Sequence, residues 1–428
     1  MHTEIDDIKK VNIVEKHMAY FTPGHGSPKR SLRVPESFSL YICPPSCARR
    51  IGIRSIVNGE MKDTAFLLME EKDIISGDYV IRIGEAVEKI SKIRKESYGR
   101  CPRAYVLYLN CVDDFLGTDE DALINGLEER FPDIVFTVCH INPVSDGSGM
   151  PRGMLVYDRL FSFLKKRTGD ENTVNFIGNY VPIDRECELY RFFDHFGIKA
   201  INEPISMNTF EEYEKMANAR CSLVFMMMGI LAGQNMEKKF HIPYLFLPVT
   251  YDMDDVTEEY RKLADILDEP FPAELCQREK MLAEKSVRET LAAVKDVPIA
   301  VDTYGVRMPF SLARALKKYG FNVVAVFEAH AKEVDRENMG FIKNECKEIQ
   351  IVKGFSYKEI KELNLPQELI AIGYDCAYST KAVHFVDIRH DEGLFGFYGI
   401  RKMMEYILDA YRSTQEWNEE SSHKTEVT

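Results

Sequence analysis

The chain has 428 residues, with 55 Lys and Arg against 68 Asp and Glu, ten Cys and one Trp. A formal charge of −13 argues against a protein that wraps nucleic acid, because phosphate binding needs clustered Lys and Arg. The length predicts two to four domains at about 100–200 residues each, and the 45% hydrophobic content is enough for several cores.

The N-terminus, Met1-His2-Thr3-Glu4-Ile5-Asp6-Asp7, lacks the basic-then-apolar pattern of a signal peptide. Together with the lack of a membrane-length apolar run, this predicts a cytoplasmic protein with no membrane partner. A disulfide framework is not expected in that compartment, so most of the cysteines read as small buried hydrophobes and a minority as ligands.

After the apolar run Phe38–Ile42, the first clear strand is Tyr105–Asn110. A helix is predicted over Asp119–Arg130, with Leu123, Ile124 and Leu127 at helical spacing, capped by Thr118 or Asp119. Asp133–Cys139 reads as a strand and Arg152–Lys166 as a helix. A second series follows: strand Val174–Gly178, helix Glu186–Phe196, strand Lys199–Ile201, helix Thr209–Ala217, strand Cys221–Met227, helix Gly229–Lys239 and strand Pro243–Val249. Tyr251–Val294 is a charged helical connector.

A third series begins at strand Ile299–Val301 and continues through helix Pro309–Tyr319, strand Asn322–Phe327, helix Lys332–Glu345 and strand Glu348–Val352. Helix Ser356–Glu362, strands Leu369–Gly373 and Ala382–Asp387, and a closing helix Gly396–Tyr411 complete it. Apolar strands alternating with helices imply parallel sheets with right-handed crossovers. The expected fold is therefore three tandem Rossmann-like, doubly wound α/β domains with small parallel sheets: 1–168, 169–294 and 295–415, followed by a polar tail at 416–428. Such sheets place ligands at the carboxyl ends of their strands. That makes Cys111, Cys139, Met226–Gly229, Cys376 and Arg389–Phe395 the first suspects.

No phosphate loop, dinucleotide fingerprint, His-Glu-x-x-His or Gly-x-Ser-x-Gly elbow is present. Gly24-His25-Gly26 lacks a third glycine, and Gly147-Ser148-Gly149 reads as a loop. No nucleotide is expected to be bound by this chain.

The sharpest local feature is Cys43-Pro44-Pro45-Ser46-Cys47-Ala48-Arg49-Arg50. The prolines predict a turn between two thiols, and the arginines would lower the thiol pKa values. A depressed thiol pKa suits an iron–sulfur ligand. Two buried cysteines beside a basic turn is the competing reading. Cys111 ends a strand in the same domain, and Cys139 ends the next. Cys101, Cys187, Cys221, Cys276, Cys346 and Cys376 have no ligand-like spacing.

These residues, in this order, resemble the nitrogenase component 1 family with its protochlorophyllide reductase, nickel-sirohydrochlorin cyclase and cofactor-scaffold relatives. Pro44-Pro45-Ser46-Cys47-Ala48 is similar to the family's Gly-Pro-x-Gly-Cys turn. Leu109-Asn110-Cys111-Val112-Asp113-Asp114-Phe115-Leu116-Gly117-Thr118-Asp119 is similar to its Ser-Thr-Cys-Pro…Ile-Gly-Asp-Asp segment. Asn175-Phe176-Ile177-Gly178 resembles the strand opening the second domain, and Met236-Glu237-Lys238-Lys239-Phe240-His241-Ile242-Pro243 its Met-Glu-x-Lys segment. Gly396-Phe397-Tyr398-Gly399 lies where members have a similar Gly-Phe-x-Gly helix start.

The resemblance implies three domains around a central cleft and a [4Fe–4S]-type cluster at a subunit interface. It also implies electrons from an ATP-dependent iron protein, and a second component 1-like subunit or another copy of this chain. Cys47 and Cys111 match two of the three cluster cysteines. The first falls near Thr22, where no cysteine stands, leaving Cys43 as the nearest replacement, with His25 or a partner's residue as the others. The cofactor cysteine of the nitrogenase α subunit falls in Leu223–Gly229, where Met226 and Met227 would line the cleft instead. Its histidine falls within Asp387–Asp391, making His390 and Asp391 candidate proton donors. The departures imply a substrate other than dinitrogen, or a non-catalytic scaffold for a metallocofactor.

Overall fold

The computed structural model describes residues 32–414 except 58, 142–150, 167–171, 295, 329–332, 353–362, 364 and 367. Thr22, His25, Gly147–Gly149, the helix expected at Ser356–Glu362 and the polar tail lie outside the described residues.

Thirteen described strands form three parallel sheets. The first contains β1 Ser37–Cys43, β2 Thr64–Leu68, β3 Ala104–Asn110 and β4 Val135–Ile141, in the order β2-β1-β3-β4. The second contains β5 Thr173–Ile177, β6 Ala200–Asn202, β7 Cys221–Val224 and β8 Tyr244–Phe246, in the order β6-β5-β7-β8. The third contains β9 Ile299–Asp302, β10 Val323–Phe327, β11 Gln350–Val352, β12 Ile370–Ile372 and β13 His384–Val386, in the order β11-β10-β9-β12-β13. The strand order reverses between β1 and β3, between β5 and β7, and between β9 and β12. Each reversal opens a crevice at the carboxyl ends of the strands, where doubly wound sheets bind ligands.

The central strands are apolar on both faces because helices cover both. On β3, Tyr105, Leu107 and Leu109 face one core with Ile83, Val87 and Leu127, while Ala104 and Val106 share another with Cys139, Ile177 and Val224. The second and third sheets share a larger core that runs from Phe176 and Phe192 through Tyr260 to Phe397 and Ile407.

Several local features differ from the sequence reading. Pro45 does not break the backbone into a turn: a helix runs Pro45–Val57. Proline at the first helical position loses nothing, because its missing N–H would be unsatisfied there anyway. The Tyr79–Tyr98 helix, buried along Ile83, Val87 and Ser91, has no counterpart in the predicted elements. Nor do β2 and the short helices Glu71–Ser76, Asp113–Leu116 and Tyr374–Thr380. The expected Arg152–Lys166 helix ends at Leu160 and tightens to a 3₁₀ turn at Phe161–Phe163. The remaining strands and helices agree with the sequence reading to within a few residues at their ends.

The second and third sheets are locked by Glu188, which is fully buried. It accepts from the backbone N–H groups of Phe397 at 2.6 Å and Tyr398 at 2.9 Å and from the Tyr260 hydroxyl at 2.7 Å. Those amides open the closing helix Gly396–Arg412, so the carboxylate caps a helix 209 residues downstream. Gly396 holds φ 61°, and a β-carbon there would collide with Glu188 Oε1 and the Tyr260 hydroxyl. Burial pushes the Glu188 carboxyl above its ordinary pKa, against the pull of these donors.

Removing Glu188 strands three buried donors. Glu188→Ala is expected to lower unfolding free energy by roughly 2–4 kcal/mol, and Glu188→Gln, which keeps an acceptor, by less. Urea denaturation checks this; a loss below about 0.5 kcal/mol for Glu188→Ala would show that the cap contributes little.

Candidate functional site

The first crevice lies between β1 and β3, and the sequence places cysteines on both of its walls. β1 and β3 run parallel, with Ile42 opposite Leu109. Cys43 therefore ends β1 where Asn110 ends β3, and Cys111 follows directly. Cys47 is the third residue of the Pro45–Val57 helix. Cys47 is exposed, Cys111 half-buried and Cys43 buried.

Asn110 fastens the two strand ends together. Its amide donates to Ile42 O at 2.8 Å and touches Met69 Sδ at 3.4 Å, while its side-chain oxygen accepts from Val112 N at 2.7 Å. Asp113, two residues after Cys111, is buried and accepts from the Tyr79 hydroxyl at 2.6 Å and from the Thr118 hydroxyl. Burial, then hydrogen bonding to Asp113, pushes the Tyr79 phenol up to about 12. Asp119 caps the next helix by accepting from Ala122 N at 2.9 Å, so of the two predicted caps the aspartate serves. The loop carrying Cys111 is thus tied at both ends. The polar Asn110 at the end of an otherwise apolar buried strand was the sequence signal for this fastening.

The expected lowering of thiol pKa is not what Cys43 shows. Burial, and next the neighbouring Cys47, push its thiol up to about 11. Desolvation of the thiolate is the larger of the two causes. Cys139 is further from ligand chemistry. It lies within β4 opposite Tyr108, inside the core shared with the second sheet, and burial pushes its thiol to about 12. His140, next in the strand, pairs with Glu120 at 2.8 Å.

The family resemblance implies an iron–sulfur cluster at this edge, and the donor set tests that implication. Among the described residues, no group of three or more His, Cys, Asp and Glu side chains is placed to hold a metal. Cys47 and Cys111 are accessible thiols on one crevice, but the described residues of one chain do not close a cluster site.

The second crevice, between β5 and β7, holds the methionine segment. Met226 extends β7, and Met227–Gly229 form a 3₁₀ turn before the Ile230–Phe240 helix. Met226, Met227 and Met228 are all half-buried. Gly178, just after β5, holds φ 96°, and a β-carbon there would lie 3.0 Å from Met226 N. The Met228 methyl packs on Gly153 of the first unit, and the Gly178 N–H donates to the Tyr157 hydroxyl at 2.6 Å.

The third crevice is filled by its own chain. Asp302, buried at the end of β9, accepts from Tyr304 N at 2.8 Å, Gly305 N at 2.7 Å and Cys376 N at 2.9 Å. A β-carbon on Gly373 would collide with this carboxylate. His390 and Asp391, on the loop after β13, close over the same place. His390 N–H donates to Tyr304 O at 2.7 Å and Asp391 N–H to Gly305 O at 2.9 Å. Asp391 is fully buried and pairs with Arg307 at 3.1 Å, while His390 is half-buried, with its ring 6.0 Å from that of Tyr304. The structure thus separates three groups of sequence candidates onto three crevices: the cysteines, the methionines and the His390 turn.

The sequence profile described as nitrogenase component 1 type oxidoreductase matches residues 35–411. Among curated proteins, the chain is 23% identical over 284 residues to the nitrogenase iron-molybdenum cofactor biosynthesis protein NifE of Clostridium pasteurianum, covering 65% of this chain. It spans 60% of that relative's length. Among solved structures, nitrogenase Cp1 at pH 6.5 superposes with a TM-score of 0.67 at 16% identity, covering 94% of each chain. The same protein at pH 5 gives 0.61 at 15% identity, covering 91% of this chain and 88% of that one. At these identities the superpositions establish the fold. No described helix is long and apolar enough to cross a membrane.

The burial of the thiols sets an order of reactivity. At pH 8, Cys43 is expected to alkylate about a hundredfold more slowly than an unperturbed thiol, with Cys139 slower still and Cys47 fastest. Iodoacetamide labelling of the native protein followed by peptide mass spectrometry checks this; Cys43 labelling as fast as Cys47 would contradict the buried placement.

Proposed function

The chain belongs to the nitrogenase component 1 type oxidoreductase family, and on that premise we propose that it is a redox subunit reducing a substrate other than dinitrogen, with electrons from a separate ATP-dependent iron protein. The observation that carries the reading is the placement of Cys47 and Cys111 on one crevice at the carboxyl edge of the first sheet.

Two thiols are half of the set a four-iron cluster needs. A second component 1-like subunit, or another copy of this chain, would supply the others across the interface, so the reading makes the protein an obligate oligomer when loaded. Cys43 is the third candidate, although its burial and raised pKa disfavour the thiolate that iron requires. A cluster there would supply one-electron transfer. The chain's own part is to hold Cys111 on a loop pinned by Asn110 and Asp113, and Cys47 on the first turn of a helix. Exposed apolar side chains of the same unit, Leu68, Ile75 and Leu116, suit a contact with a second subunit.

On the substrate side, Met226 and Met227 would line a cleft at the second crevice, and His390 would donate protons. Thioethers are weak ligands where the family resemblance places a cofactor thiolate. That substitution is the reason for proposing a substrate other than dinitrogen.

A second reading has its own support. The curated relative is named as a cofactor biosynthesis protein, and a scaffold that carries a metallocofactor needs no substrate chemistry. ATP-dependent electron uptake from an iron protein, followed by turnover, separates the redox subunit from the scaffold.

Cys47→Ala and Cys111→Ala are each expected to abolish the brown colour and most of the bound iron of anaerobically purified protein. Iron content unchanged in both variants would remove the ligand assignment. Loss in one only would leave the other cysteine as a structural residue.

A further inference from the structure

His390 and Asp391 are consecutive non-glycine residues with φ of 50° and 46°. L-residues enter this left-handed region singly and at a cost, and glycine or asparagine fills it more cheaply. A turn needed only for chain reversal would place glycine there, as this chain does at Gly393 and Gly396 two to six residues later. Strained pairs persist only where their surroundings over-determine them, and they cluster at functional sites.

Here the over-determination is visible bond by bond. Both backbone N–H groups of the pair donate to the loop after β9, His390 to Tyr304 O at 2.7 Å and Asp391 to Gly305 O at 2.9 Å. The Asp391 side chain, fully buried, crosses to the same loop. Its Oδ2 accepts from Arg307 N at 3.1 Å and its Oδ1 meets the Arg307 guanidinium at 3.1 Å. Asp391 O accepts from Leu394 N at 3.1 Å. The receiving loop is itself fixed, since Tyr304 N and Gly305 N both donate to Asp302. Arg307 is only 15% exposed at its side chain, so this ion pair is shielded from water.

We propose that Asp391 is a positioning residue which, through Arg307, holds the His390 turn left-handed and so fixes the imidazole beside Tyr304 at the carboxyl edge of the third sheet. The carboxylate does not face substrate; it acts through its neighbour. The proposal rests on the reading of His390 as a proton donor.

The test uses full-length protein with ¹³C,¹⁵N-labelled histidine, the His390 signal being identified by its loss in His390→Gln. Asp391→Asn and Arg307→Gln are expected to shift or broaden the His390 ring signal while the other assigned histidine signals stay in place. Arg307→Gln serves as the second variant, because it leaves the buried carboxylate its donor in the backbone N–H of residue 307. His390→Gly, which removes the strain, is expected to raise the melting temperature in the otherwise unchanged chain. An unmoved His390 signal in both clamp variants, with only a lower melting temperature, would overturn the proposal and leave Asp391 as structural glue. Undiminished substrate reduction by His390→Gln would instead overturn the proton-donor reading, whatever the clamp variants show.

Discussion

Burying a carboxylate is costly unless backbone amides meet it, and the arrangement of this fold depends on three places where they do. Glu188 receives the first amides of the closing helix. Asp335 receives Phe310 N at 2.9 Å and Ser311 N at 3.0 Å, capping the Pro309–Tyr319 helix from outside it. Asp302 receives the loop after its own strand and the N–H of Cys376. Each acceptor joins elements that are distant along the chain, and each is directional where apolar packing is not. The apolar core shared by the second and third sheets would tolerate sliding; these bonds fix its register.

That register decides where chemistry is available. All three sheets have the same reversal of strand order, so all three offer a crevice in principle. The third is closed by Asp302 and the His390 turn. The second is narrowed by the approach of Gly178 to Met226. The first is rimmed by accessible thiols and by Leu68 and Leu116, which are exposed in the single chain. A repeated architecture therefore yields three dissimilar edges, through a handful of residues placed just after the strands.

Much of this architecture was legible in the sequence. The buried strands declare themselves as short apolar runs, and the strand–helix alternation implies parallel sheets. The strand-end rule singles out Cys111, while Cys47 is singled out by its spacing from Cys43 across two prolines. What was not legible divides by cause. Pro45 reads as a breaker by residue type, although position within the first turn reverses its meaning. The Tyr79–Tyr98 helix buries Gly84 and Ser91 along with its aliphatic residues, which blurs the apolar stripe. Glu188 looks like one more surface acid, because the amides it meets lie 209 and 210 residues downstream. The burial of Cys43 was equally hidden: strand alternation does not reveal that a helix will cover the strand's last residue.

The approach of Gly178 to Met226 carries a consequence for how this family member can diversify. A side chain at 178 is opposed both by φ 96° and by a β-carbon contact of 3.0 Å to Met226 N, so the two strand ends are kept close. The methionines beyond it are unbranched and polarisable, and they repack easily. Variation at 226–228 can therefore reshape the second crevice without moving any strand, while variation at 178 would displace the main chain itself. Recognition in such a protein evolves by exchanging tips on a rigid frame.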